Sequence, residues 1–183
     1  LKGNIHTHSF WSDGNEFPEM IAKWYLDRDY QFLALSDHNI LSKGEKWMPF
    51  ATLTRRGGAD IVDKYIKSFG ADWVETRGEP GSAQYAVRLR TLEEFRGKVE
   101  SKDRFLMIQS EEISDRSQGG PVHMNATNIQ QLIPPVGGAT VREAMTNNLL
   151  ASDLILIQYS AAIGVATNFG QYAPFSTLVR VRL

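Results

Sequence analysis

The chain contains no cysteine. That excludes disulfides, thiolate nucleophiles and thiolate metal ligands, so any metal it binds is held by nitrogen and oxygen. An excess of either charge is also lacking: 20 Lys and Arg stand against 21 Asp and Glu, a formal net charge of -1. No long-range field then draws in nucleic acid or an anionic membrane, and polymeric phosphate is not the favoured substrate. No apolar run of membrane-spanning length and no signal peptide is visible in the sequence, and trimming would have removed a leader. Leu1 rather than Met opens the chain at its first strand, so a processed or trimmed N-terminus is expected, and localisation stays open, with periplasm and secretion included. The remaining composition, 42% hydrophobic and 22% charged, is that of an ordinary soluble domain. Oligomeric state is not legible.

Histidine is scarce, four residues in all, and each falls in a short motif with metal-ligand spacing. His6 and His8 lie in N-I-H-T-H-S-F-W-S-D-G. On an extended strand, side chains at i and i+2 share a face, so the two imidazoles can hold one ion. Asp13 follows in S-D-G, where Gly14 lets the backbone turn the carboxylate back over the strand end. An isolated H-x-H is equally compatible with a chance pairing on a half-exposed strand.

The second motif follows a short apolar run, Gln31 to Ser36, that ends in Asp37-His38-Asn39. Side chains at the carboxyl ends of parallel strands line active sites, which brings His38 towards His6 and His8. Asp37 is expected either to accept a proton or, more in keeping with its position, to orient an imidazole from behind. A second apolar run beginning near Arg104 empties into Ser110-Glu111-Glu112-Ile113-Ser114. One of these carboxylates is expected to bridge two metals, and alternation alone does not choose between neighbours. After a Gly-Gly-Pro loop, Val122-His123-Met124-Asn125 offers one more imidazole.

In this order the motifs resemble the PHP (polymerase and histidinol phosphatase) family of metal-dependent phosphoesterases. Its signature is H-x-H-x-x-x-x-D, a D-H after the second strand, a lone Glu and a later His. The match runs from residue 4 to 125, about two thirds of the chain. The resemblance implies a distorted (β/α)7 TIM-like barrel with two or three divalent ions (Mn, Fe or Zn) at its mouth. It implies that His6 and His8 hold the first metal, that Glu112 bridges the first and second, that His123 binds the second, and that Asp13 and His38 bind the third. Glu112 is preferred over Glu111 because the family's Glu is followed by a β-branched apolar residue, here Ile113.

The last third departs from the pattern. No histidine follows His123, and Gly164-Val165-Ala166-Thr167-Asn168 looks like the start of the family's late G-x-x-D-x-H with its Asp and His absent. A full barrel takes about 250 residues, against 183 here. The expectation is therefore a single PHP-like domain over 1–183, with the barrel incomplete in this sequence.

Elsewhere the pattern is α/β. Pro18 opens a helix to about Asp29, residues 59 to 69 form a second ended by Gly70, and capping boxes at Thr91/Glu94 and Thr140/Glu143 start two more. Residues 153–158 and 177–182 read as late strands. Over seventy residues separate the D-H and Glu motifs, too many for one crossover helix, so 41–103 is an insertion with a β-hairpin at 73–90. Lys43, Lys46, Arg55 and Arg56 make the loop before it basic, and Lys46, Arg55 and Arg56 are candidate binders of a substrate phosphate.

The function expected is hydrolysis of a small phosphate mono- or diester by metal-activated water, with Asp37 and Glu112 as catalytic residues. A metal-dependent amide or lactone hydrolase uses the same chemistry. A degraded module that binds metal or carbohydrate, with Trp11, Trp47 and Trp73 as platforms, is the non-enzymatic alternative.

Overall fold

A computed structural model of the chain describes residues 1–150 and the backbone of two later strands. In chain order the elements are β1 (Gly3–Asn4), α1 (Pro18–Leu26), β2 (Phe32–Leu35), β3 (Lys46–Pro49), α2 (Phe50–Gly57), α3 (Ile61–Phe69), a 3-10 turn (Ala71–Trp73), β4 (Thr76–Arg77), β5 (Ala86–Leu89), α4 (Leu92–Val99), β6 (Leu106–Ser117), β7 (Gly120–Thr127), α5 (Val141–Leu150), β8 (Leu156–Ser160) and β9 (Arg180–Val181). The main sheet has the order β1-β2-β6-β7-β8-β9, and a small sheet has the order β3-β5-β4.

This is not a (β/α)7 barrel, and the strand that carries the glutamates shows why. Among the described residues only β1, β2 and β6 are parallel. A parallel neighbour needs a crossover connection, whereas an antiparallel one needs only a tight turn. β6 does not stop after the apolar run but continues to Ser117, 12 residues in all, then reverses at Gln118 (φ 51°) and Gly119 (φ 78°). It returns as β7 in an eight-pair antiparallel ladder from Ser110↔Thr127 to Ser117↔Gly120, and β8 and β9 are antiparallel in turn. The short loop expected between Glu112 and His123 is the end of this hairpin.

Several local signals act as the sequence suggests. Pro18 occupies the first turn of α1, and Gly70 (φ 90°) terminates α3 with its N–H on the Ile66 carbonyl. Thr91 and Glu94 make both bonds of a capping box on α4. At α5 the exchange is incomplete: Thr140 Oγ1 accepts from Glu143 N at 3.1 Å, while Glu143 reaches back to Ala139 N instead. The basic segment read as a loop is structured. Lys46 is on β3, and Arg55 and Arg56 are on α2, a helix signalled by Phe50 and Leu53 one turn apart before Gly57-Gly58. The strand expected over 153–158 falls partly on β8, and 151–155 lie outside the described residues, as do 161–179 with the Gly164 to Asn168 motif.

Among the described residues, three apolar clusters hold the fold together. Leu33, Leu35 and Met107 of the main sheet pack on Ala22 of α1 and on Leu92, Phe95 and Val99 of α4. Ile113, Val122, Met124 and Ala126 pack on α5. The third cluster joins the insertion to the loop after β1: Met48, Leu53, Ile61, Tyr65, Val87 and Leu89 enclose Phe10, Trp11 and Phe17. The Phe17 and Tyr65 rings stack at 3.8 Å. Burying each such side chain contributes about 1.5–3 kcal/mol, so the insertion clamps the loop that carries Asp13. Within it, β4 and β5 pair antiparallel around Gly78 to Ser82, and β3 covers the other edge of β5.

Glu94 ties this region together. Its Oε2 accepts Thr91 N at 2.8 Å, and its carboxylate pairs with Arg88 and Arg90. Burial pushes the carboxyl up, but bonds from Arg88 and Thr91 more than offset this and bring it down to about 2. Since the folded value is the lower one, the linked stability is present above the unfolded value of 4.5 and disappears as pH falls towards 2. Glu94→Gln is therefore expected to cost about 1 kcal/mol in urea unfolding at pH 7, with the gap from wild type closing between pH 4.5 and 2.

Candidate metal centre

β6 alternates faces, and this separates the two adjacent glutamates. Glu111 points with Ile113 into the α5 side, where its Oε1 accepts Ile133 N at 2.6 Å. Glu112 points to the opposite face with Ser114, and its carboxylate lies within reach of all four histidines. Its Oε2 is 3.2 Å from His6 Nε2, 2.6 Å from His8 Nε2 and 3.2 Å from His38 Nδ1. Oε1 is 2.8 Å from His123 Nδ1.

Each imidazole arrives from a different element. β1 is only two residues long, so His6 and His8 lie just beyond it, in a segment kept alongside β2 by Ser36 N donating to Thr7 O at 2.9 Å. His38 follows β2 and forms a parallel bridge with Glu112. Asn39 N donates to Glu112 O at 2.9 Å, and Glu112 N donates to Asp37 O at 3.1 Å. His123 sits on β7 opposite Ser114. Asp13 closes the mouth, with Oδ1 2.8 Å from His8 Nδ1 and Oδ2 3.4 Å from His38 Nε2.

The donor atoms form three groups, each within 4.8 Å: His6, His8 and Glu112; His8, Asp13 and His38; His38, Glu112 and His123. A divalent ion suits this set. The donors are imidazole and carboxylate alone, and His8 Nε2 and Glu112 Oε2 are buried with neither making an aligned hydrogen bond. Their separation of 2.6 Å counts as an ion pair by distance only. Close approach without alignment is the arrangement of two lone-pair donors turned to a common point. Without a metal, protons fill the role. The Glu112 carboxylate beside His8 raises the imidazole to about 9, against the opposing effect of burial. Burial of Glu112 is likewise overcome by the His6 and His8 contacts, which hold its carboxyl well below the usual range.

Asp37 is 1% exposed and lies behind the ligands. It accepts Ser9 N and Ser9 Oγ, both at 2.7 Å, Ser12 N at 3.0 Å and Ser12 Oγ at 2.6 Å. These four donors fix the loop between His8 and Asp13. Lys46 and Arg56 reach the same loop, donating to the carbonyls of Trp11 and Gly14. Arg55 is exposed, and no ion pair or hydrogen bond among the described residues ties it to the histidines. Ser9, Ser12, Asn39 and Ser114 were given no role from sequence. Ser114 contacts His38 Nδ1 through its hydroxyl, and its N–H donates to Asn39 Oδ1 at 2.8 Å. These partners are 25 to 76 residues apart, so no local pattern announces them. A depression of about 510 Å³, lined in part by Thr7, His8, Met20 and Trp24, opens beside the centre.

Comparison of the chain with models of known protein families gave no match. Comparison with curated proteins gave none either.

Two outcomes are expected. Metal must displace the His8 proton below pH 9, so calorimetry of Zn2+ uptake at pH 7.5 in buffers of different ionisation enthalpy should report release of about one proton or more, and His8→Ala should release fewer. Asp37→Asn removes acceptor capacity from a buried four-donor site and is expected to lower stability by about 2 kcal/mol. An unchanged urea midpoint would refute that role for Asp37.

Proposed function

We propose that the protein is a metal-dependent hydrolase of the PHP type that cleaves a small phosphate mono- or diester. The observation that carries this reading is the convergence of all four histidines on the Glu112 carboxylate. The order of the contributing motifs supports it, as does a mixed imidazole and carboxylate set suited to Mn, Fe or Zn. Bound there, two or three such ions would generate a nucleophile from water near neutral pH and neutralise charge growing on the phosphoryl oxygens.

The chain's own residues do the rest. His6, His8, Glu112 and His123 hold one side of the centre, and Asp13 with His38 holds the other. Asp37 keeps His8 and Asp13 in register by fixing the intervening loop, which makes it a positioning residue. Arg56 and Lys46 bring positive charge to that loop, where a phosphate's non-bridging oxygens would lie. Arg55, exposed on the same helix, is the less favoured contact. A formal net charge of -1 favours a small ester over a polymeric phosphate. Among the described residues no helix is long and apolar enough to cross a membrane.

Hydrolysis of 4-nitrophenyl phosphate and bis(4-nitrophenyl) phosphate tests this. Turnover is expected to vanish with chelator, to return with Mn2+, Fe2+ or Zn2+, and to be lost in His6→Ala, His38→Ala and Glu112→Ala. Cleavage of an anilide or a lactone, with both phosphate esters untouched, would move the assignment to carbonyl hydrolysis. Metal binding without turnover on any of these would favour the non-catalytic alternative.

A further inference from the structure

Each candidate metal group contains three protein donors, fewer than the four or more ligands that divalent ions of this kind take. Beside the third group stands a side chain with no assigned role. Asn125 is directly opposite Glu112 in the β6–β7 ladder. It is two residues beyond His123 on β7, so all three side chains project from one face of the sheet. Opposed residues in an antiparallel pair have β-carbons about 5 Å apart, close enough for the Asn125 amide to reach an ion held by its neighbour's carboxylate.

The environment of Asn125 points the same way. The residue is 2% exposed, and its Oδ1 has no hydrogen-bond partner among the described residues. Native interiors rarely leave such an atom unpaired, because water would otherwise solvate it. The same condition marks His8 Nε2 and Glu112 Oε2, both members of the donor groups. Ser36 and Thr127 also carry unpartnered buried hydroxyls, but neither is opposite Glu112. An amide carbonyl is also the harder and better neutral oxygen donor for a divalent ion.

We propose that Asn125 is a further metal ligand, contributing its Oδ1 to the ion held by Glu112 and His123. This rests on the metal-centre reading. The test is calorimetric titration of chelator-stripped protein with Mn2+ and, in parallel, Zn2+, for wild type, Asn125→Leu and Asn125→Asp, together with the metal-free thermal midpoint of each. Asn125→Leu, which replaces the unpaired amide with an apolar side chain of similar size, is expected to weaken metal binding about tenfold or more without lowering the metal-free midpoint. Asn125→Asp, which keeps an oxygen in place, is expected to bind at least as tightly as wild type. Wild-type affinity and stoichiometry in Asn125→Leu would overturn the proposal and leave the metal centre standing. If Asn125→Leu loses its fold, the aspartate variant decides: retained binding supports ligation, and binding lost despite a wild-type midpoint overturns it. Failure of the wild-type protein to bind either ion would overturn the metal-centre reading and this proposal together.

Discussion

A carboxylate buried at the middle of a sheet needs positive charge or metal around it, since an isolated ion taken out of water costs far more than one interaction can return. Glu112, 1% exposed, meets that demand with four imidazoles. The geometry of the upper part of the fold follows from it. The segment after β1, the end of β2 and the middle of β7 must all present histidine at one point. The ladder makes this possible by running the parallel pair on through His38↔Glu112 and returning β7 directly alongside β6.

The face on which Glu112 lies also explains the division of the sheet. The opposite face of β6 and β7 carries Ile113, Val122, Met124 and Ala126 into the α5 cluster. The Glu112 face carries Ser110, Asn125 and Thr127, all buried and polar. Apolar packing on one side supplies the stability that lets the other side be organised around ionisable groups. The same division of labour holds in the insertion, whose core closes on Phe10, Trp11 and Phe17. Asp37 then fixes the intervening turn from behind. A loop that would otherwise be mobile is held from two directions, by apolar packing and by four hydrogen bonds.

Glu19 shows that buried carboxyl groups are not confined to the centre. It is fully buried in α1, where its Oε1 accepts from Tyr65 and from Trp73 Nε1, and burial raises its carboxyl above the ordinary value. Its partners come from α3 and the following turn, so this contact too joins the insertion to the main body. Polar links of this kind give register to a junction that apolar packing alone would leave free to slide.

Scarce histidine, absent cysteine and the ordered H-x-H, D-H, Glu and His motifs are properties of composition and spacing, and they singled out the candidate donors, short of the choice between Glu111 and Glu112. The sequence by itself also determined the helix ends at Pro18, Gly70 and Thr91, where capping is a local interaction between neighbours. Only the tertiary structure decided between Glu111 and Glu112 on physical grounds, because the choice depends on which face of β6 meets α5. It alone revealed the antiparallel return of β7, since a Gly-Gly-Pro loop does not by itself say whether the strands on either side of it pair with one another. The roles of Ser9, Ser12, Asn39 and Ser114 were likewise invisible beforehand. Their partners lie tens of residues away, and contacts made by chain folding leave no periodicity in the sequence to read.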